Sequence, residues 1–183
     1  MVVGGGITAL ELVEGLHSRG VKVHYLLRGK RYWSSVLDEK ESQIVEKRLQ
    51  KEGVKLHYGS ELVEVHGKRG RVQGVRLLDG RTLLCDILAY AIGIHPRVEL
   101  ARESGLAIDR GVLANEYLQT SNPDVYVAGD VAQVYDPLSK RSIIDSLWGP
   151  AREQGYTAGL NMAGQRTAYI KEVPFNVTRL AGS

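Results

Sequence analysis

Residues 1–20 read "MVVGGGITALELVEGLHSRG", with Gly4, Gly5 and Gly6 directly after a short apolar start. A glycine run at a strand-to-helix turn lets the backbone approach a phosphate closely and take φ values that a Cβ forbids. Gly4, Gly6 and Ala9 fit the spacing G-x-G-x-x-A. That spacing alone is weakly diagnostic, so its flanks decide. Ala9, Leu12, Val13 and Leu16 recur at i, i+3, i+4 and i+7, which predicts a helix with one apolar stripe that stops at Gly20. "VKVHYLL" at 21–27 follows as a strand rich in β-branched and apolar residues. Strand, glycine turn, helix and second strand therefore fit within about thirty residues, as a βαβ unit requires. The opening "MVV" is short for a strand. A dinucleotide turn is the favoured reading, and a glycine loop used only for tight helix packing is the alternative.

The 183 residues suffice for one sizeable domain, or one domain with part of another. With 43% hydrophobic and 25% charged residues, the composition is that of a soluble globular protein. A net charge of +3 with both signs interspersed argues against a nucleic-acid or membrane partner. No apolar run reaches the length of about twenty residues that a membrane span needs, and the start does not read as a signal peptide, so a cytoplasmic protein is expected. Cys85 is the single cysteine and has no C-x-x-C partner. It is expected to be a small buried strand residue. His17, His24, His57, His66 and His95 fall on separate elements with no ligand spacing, so no metal site is expected.

Further along, residues 34–53 predict a charged amphipathic helix with Ile44, Val45, Arg48 and Leu49 near its inner edge and Gly53 as its stop. "VKLHYG" at 54–59 predicts a third strand. From residue 61 the rhythm shortens, with breaks at 68–70 and at Asp79-Gly80, a strong hairpin signal. The expectation is an antiparallel meander that returns to a buried strand at 86–92. A short helix at 98–106, a strand within 121–130 and a helix at 150–164 complete the pattern, with Pro150 at its first position and Gly164 at its stop. The fold class expected is thus α/β, a Rossmann-like domain with a parallel sheet plus an antiparallel meander.

The order of "VVGGGITALE", "AYAIGIHPRVELA", "NEYLQTSNPDVYVAGDVAQ" and "WGPAREQGYTAGLNMAG" resembles the pyridine nucleotide-disulfide oxidoreductase superfamily of FAD-dependent flavoproteins, in the branch of rubredoxin reductases, NADH oxidases and nitrite reductase flavin parts. These stretches cover most of positions 1–165. Members have an NAD(P) domain inserted into an FAD domain. The resemblance implies an NAD(P)-binding domain at 1–114 and the C-terminal part of an FAD-binding domain at 115–183. It also implies that the family's N-terminal FAD half lies outside this sequence and is a partner of it.

Gly4, Gly6 and Ala9 would set a pyrophosphate against the positive end of the first helix. Glu11 matches a family glutamate near the nicotinamide and flavin edge, or is an acid that complements the helix dipole. Gly93 matches a glycine that leaves room for the dinucleotide, or is a strand-end turn before Pro96. Asp130 matches the "AGD" aspartate that, after Gly129, accepts a hydrogen bond from the FAD ribityl chain, or is a solvated turn residue. The helix starting at Pro150 resembles the one that points at the flavin pyrimidine ring, with Trp148 and Gly149 beside the isoalloxazine, or else with Trp148 a buried core residue. Where NAD-specific sites carry Asp or Glu at the end of the second strand, this sequence has Arg28, followed by Lys30 and Arg31. Three cations suit a 2′-phosphate, so the cofactors implied are FAD and NAD(P)H with NADPH preferred, a solvated basic turn being the alternative.

The function implied is hydride transfer from NAD(P)H to FAD and on to a small-molecule or protein electron acceptor. The alternative is a nucleotide-binding module without turnover. No second G-x-G-x-x-G follows a strand here, so these residues alone are expected neither to retain FAD nor to oxidise NAD(P)H. Apolar stretches such as "DVYVAG" would then need another surface, for which a second copy of the chain, a homo-oligomer, is one candidate. A methyltransferase with a similar glycine loop fits the "AGD" segment poorly.

Overall fold

A computed structural model describes residues 1–136 and 138–171. Two compact units emerge, Met1–Gly93 and a second from Ile94 onward.

In the first unit, β1 (Val2–Val3) leads through the glycine turn into α1 (Ile7–His17), then β2 (His24–Leu26), α2 (Glu39–Lys51) and β3 (Lys55–His57). A meander follows, β4 (Leu62–Lys68), β5 (Arg71–Leu77) and β6 (Thr82–Leu84), and then β7 (Ala89–Tyr90). The four parallel strands stand in the order β3-β2-β1-β7, so β1 is central and its end opens onto the glycine turn. Strand order that reverses beside the first strand is the arrangement that places ligands at the carboxyl ends of strands.

Side-chain alternation along the strands explains the layering. Val2, Tyr25 and Leu27 join Ala9, Leu10 and Val13 of α1 and Leu49 of α2 in one buried cluster. Met1, Val3 and Leu26, one residue out of phase, pack instead with Val75 and Leu77 of the meander. Successive strand residues face opposite ways, so helices cover one face of the parallel sheet and the meander covers the other. Half-buried Cys85 packs against that second cluster, and burial raises its thiol pKa. The meander turns where expected, with Arg69 and Gly70 both at positive φ and Gly80 at +88°. Gly20, Gly53 and Gly164 likewise take positive φ just past their helices.

Asp38 caps α2 by accepting the Glu41 N–H, while Glu41 accepts the Asp38 N–H in return. That reciprocal cap fixes the helix start at Glu39, several residues later than the sequence reading, and turns Ile44 outward while Ser42 and Leu49 are buried. The buried strand expected at 86–92 is corrected as well. Only Ala89 and Tyr90 join the ladder, at the sheet edge, and Ile92 is 74% exposed.

Sequence reasoning treats His24 and His57 as unrelated, yet the parallel register sets His24 opposite Lys55 and Leu26 opposite His57, which puts both imidazoles on one sheet face. Their rings stack at 16°, with Nδ1 of His24 3.0 Å from Nε2 of His57. Burial holds both below the usual histidine value, reinforced by Lys55 near each and by Arg81 near His57. A folded pKa below the unfolded one means that stability is complete above the unfolded value and declines as protons bind the unfolded chain. The urea midpoint is therefore expected to fall as pH drops from about 7.5 through about 6.5. The His24→Gln/His57→Gln double variant should show a flatter dependence in that window; an equally steep one would contradict the pairing.

The second unit holds α3 (Glu99–Glu103), β8 (Val112–Ala114), a 3₁₀ turn (Gly129–Val131), β9 (Ala132–Asp136), β10 (Arg141–Ile143) and α4 (Trp148–Met162). β8 runs parallel and β10 antiparallel to β9. Residues 94–114 lie in this second unit, where β8 pairs with β9. The strand expected within 121–130 is a correction: only an isolated Gln119–Tyr126 bridge forms, and the ladder begins after the 3₁₀ turn. Residues 172–183 of the expected second domain lie outside the described residues.

Candidate functional site

The predicted residues fall into two groups, one in each unit. In the first, Gly4 has φ +150° and a Cβ there would lie 2.2 Å from the Ala91 carbonyl oxygen and 2.9 Å from the Ala9 Cβ. Its glycine is demanded by the residue directly after β7 and by α1. Gly6 differs: it is the N-cap of α1, and a Cβ on it would meet nothing closer than Nε1 of Trp33 at 3.9 Å. The protein itself leaves that space free. No side chain caps α1 and no acid occupies its first turn, so its leading N–H groups face outward with the positive end of the helix dipole. These features fit a diphosphate group.

Glu11 is exposed in the second turn of α1, beyond the first turn where dipole effects are felt. Burial first, and the Glu11 charge second, push the Tyr32 phenol up to about 12. Gly93 has φ +113° and open space around it. Arg28 and Lys30 are exposed, and their side chains make no ion pair or hydrogen bond among the described residues. Arg31 is committed elsewhere. Its guanidinium donates to the carbonyls of Leu37 and Ser34 and to Ser42 Oγ, 3.0 Å away, and so straps the loop after β2 onto α2.

Trp33, in that same loop, is absent from the sequence reading because nothing in its local pattern marks it. Its backbone has φ +43°, unusual for a bulky residue. The Tyr32 N–H to Glu46 Oε1 bond, 2.6 Å, and the Val36 and Leu37 N–H groups donating to Trp33 O hold it in that conformation.

In the second unit, exposed Asp130 sits in the 3₁₀ turn with no hydrogen bond or ion pair from its carboxylate among the described residues. Gly129, at φ +78°, donates its N–H to Oε1 of buried Gln154 at 2.8 Å, which fixes the turn against α4. That helix begins at Trp148, two residues before the expected start. Pro150 is third in the helix, where its missing N–H is one of the unpaired leading donors anyway. Trp148 is 79% exposed, with the Arg152 guanidinium 5.7 Å from its ring centre. Gly149 has open space beside it, and no side chain caps the helix. A free carboxylate, an uncapped helix start and an exposed indole are groups that suit a flavin's hydroxyls and ring.

Among the described residues no three His, Cys, Asp or Glu side chains could share a metal ion, and no helix is long and apolar enough to cross a membrane.

A parallel sheet whose central strand opens through a glycine turn into a helix defines an α/β protein of the Rossmann kind. The chain belongs to the pyridine nucleotide-disulphide oxidoreductase family, whose model matches residues 1–155. It is 33% identical over 98% of its length to the NAD(P)H sulfur oxidoreductase (CoA-dependent) of Pyrococcus abyssi, covering 40% of that protein. It is 34% identical over 98% of its length to the NADH oxidase of Methanocaldococcus jannaschii, again covering 40%. The chain thus spans about 40% of the length of these curated relatives. Among solved structures, putidaredoxin reductase in its covalent complex with putidaredoxin superposes with a TM-score of 0.92 at 26% identity, over 99% of this chain and 44% of that one.

Proposed function

We propose that the chain supplies the NAD(P)H-binding part and one portion of the FAD-binding part of a flavoprotein oxidoreductase, which passes a hydride from NAD(P)H to FAD and electrons on to an acceptor. The observation that carries this reading is the pair of glycines with different surroundings, Gly4 wedged between Ala91 and Ala9 and Gly6 at an uncapped helix start where a Cβ would meet only the Trp33 Nε1 at 3.9 Å. FAD, when bound, supplies the redox chemistry. This chain's residues orient and hold: Gly4, Gly6 and Ala9 shape the diphosphate turn, Gly93 leaves space, and Glu11 faces the nicotinamide side. Gly129 and Asp130 receive the ribityl chain, while Trp148, Gly149 and Pro150 border the flavin ring. The remainder of the FAD site is assigned to the N-terminal half that relatives carry. The acceptor is a small molecule or a protein, and the putidaredoxin complex of a relative supports a protein.

Arg28 and Lys30 support a preference for NADPH, since both are free to meet a 2′-phosphate. Arg31, held by its own loop, shapes the site indirectly. Calorimetric titration should find NADPH about 10-fold tighter than NADH, with Arg28→Ala erasing most of the difference. Equal affinities, unmoved by Arg28→Ala, would rule the preference out, and binding of neither nucleotide would end the wider reading.

A further inference from the structure

The indole N–H of Trp33 makes no hydrogen bond among the described residues, although Nε1 stands 3.9 Å from where a Gly6 Cβ would lie. In a G-x-G-x-x-A turn the second glycine is bare so that the backbone can approach a pyrophosphate. The indole nitrogen therefore borders the position that Gly6 leaves bare. Trp33 is also no passive neighbour. Its ring packs against the cluster of α1, β1 and β2, tilted on the buried Tyr32 ring at a centroid distance of 6.1 Å, and its backbone is held at φ +43°. Non-glycine residues persist in that region where the surroundings over-determine them, and they concentrate at ligand clamps. Here the surroundings are the Arg31 strap, the Glu46 contact to the Tyr32 N–H and the Ser42 hydroxyl 2.7 Å from the Tyr32 carbonyl oxygen.

We infer that Trp33 is a diphosphate-positioning residue: its indole N–H donates a hydrogen bond to the pyrophosphate of the dinucleotide held at the α1 N-terminus, completing from the side a donor set that the helix supplies from below. The inference rests on the nucleotide-binding reading of the glycine turn. It assigns to the loop after β2 a role in grasping the diphosphate itself, in addition to the ribose phosphate met by Arg28.

The test is binding of ADP and NADPH to the 183-residue chain by calorimetry, comparing wild type with Trp33→Phe, which keeps an aromatic ring and removes the N–H. A hydrogen bond to a charged acceptor predicts affinity lower by about 10–100-fold for both ligands. In the wild-type chain, the Trp33 indole N–H resonance, assigned with the help of Trp148→Phe, should move downfield on saturation with ADP. That second measurement stands even where Trp33→Phe folds poorly. Wild-type affinity in Trp33→Phe, or an indole proton that does not move at saturation, overturns the inference while leaving the nucleotide reading intact. A wild-type chain that binds neither ligand overturns both.

Discussion

Gly4→Ala is expected to destabilise the first unit by about 2–6 kcal/mol, from about 1–3 for a side chain in disfavoured backbone space and about 1–3 for overpacking. The new Cβ would stand 2.2 Å from the oxygen of Ala91, the residue directly after β7, whose backbone is fixed by its N–H donating to Val3 O at 2.8 Å. It would also stand 2.9 Å from the Ala9 Cβ, on a helix whose Ala9, Leu10 and Val13 are buried. Neither neighbour is the far end of a flexible side chain, so relief requires the sheet or α1 to move. Gly5→Ala is the control. Nothing lies within 4 Å of its Cβ position, so its cost should stay within about 0.5 kcal/mol. Native-state hydrogen exchange at the α1 amides reads the first unit separately from the second. If Gly4→Ala protects those amides as well as Gly5→Ala does, the turn is not built as described.

The surroundings of Gly4 and Gly6 differ in a way that bears on the two readings of the opening glycines. Read as sequence, the run serves either helix packing or a phosphate. In the structure Gly4 meets the packing need, and Gly6 keeps space that no part of the protein uses. Local signals made most of the first unit legible: the 3.6-residue stripe of α1, the glycine stops of the helices and the Asp79-Gly80 hairpin depend on neighbours a few residues away. What escaped is non-local. The stacked His24 and His57 meet only because β2 and β3 pair in one particular register. β8 reads as the unremarkable "VLA", and it becomes a strand because β9, twenty residues on, lies parallel to it. "DVYVAG" has strand-like composition, but the positive φ of Gly129 and its bond to Gln154 turn the chain before a ladder can form. Trp33 escaped for the same reason, since its significance lies in its distance to Gly6, far away in sequence.

Gln133→Leu is expected to cost the second unit about 2–5 kcal/mol. Gln133 is 5% exposed and uses its whole amide. Its Oε1 accepts the N–H groups of Arg110 and Gly111, at 3.0 and 2.9 Å, while its Nε2 donates to Asp109 Oδ2 at 2.9 Å and to the Ser142 carbonyl at 3.1 Å. One side chain on β9 thereby ties the turn before β8 to the strand β10 on its other flank. Leucine fills a similar volume and adds apolar burial, yet it strands two N–H donors, each worth about 1–3 kcal/mol when left without an acceptor in the interior. Gln133→Glu separates the terms, because it keeps the acceptor for Arg110 and Gly111 and loses the donor, placing a carboxylate beside Asp109. It should therefore fall between wild type and leucine at neutral pH and recover as Asp109 and the new carboxyl protonate. Chemical unfolding of the three proteins at pH of about 7 and about 4.5 checks the order. Because β9 begins directly after the turn that carries Asp130, loss of the Gln133 network should also loosen the Gly129 N–H bond to Gln154, seen as faster exchange of that amide. A leucine variant as stable as wild type would mean that the buried amide contributes packing alone, and the sheet would owe its register to side-chain volume.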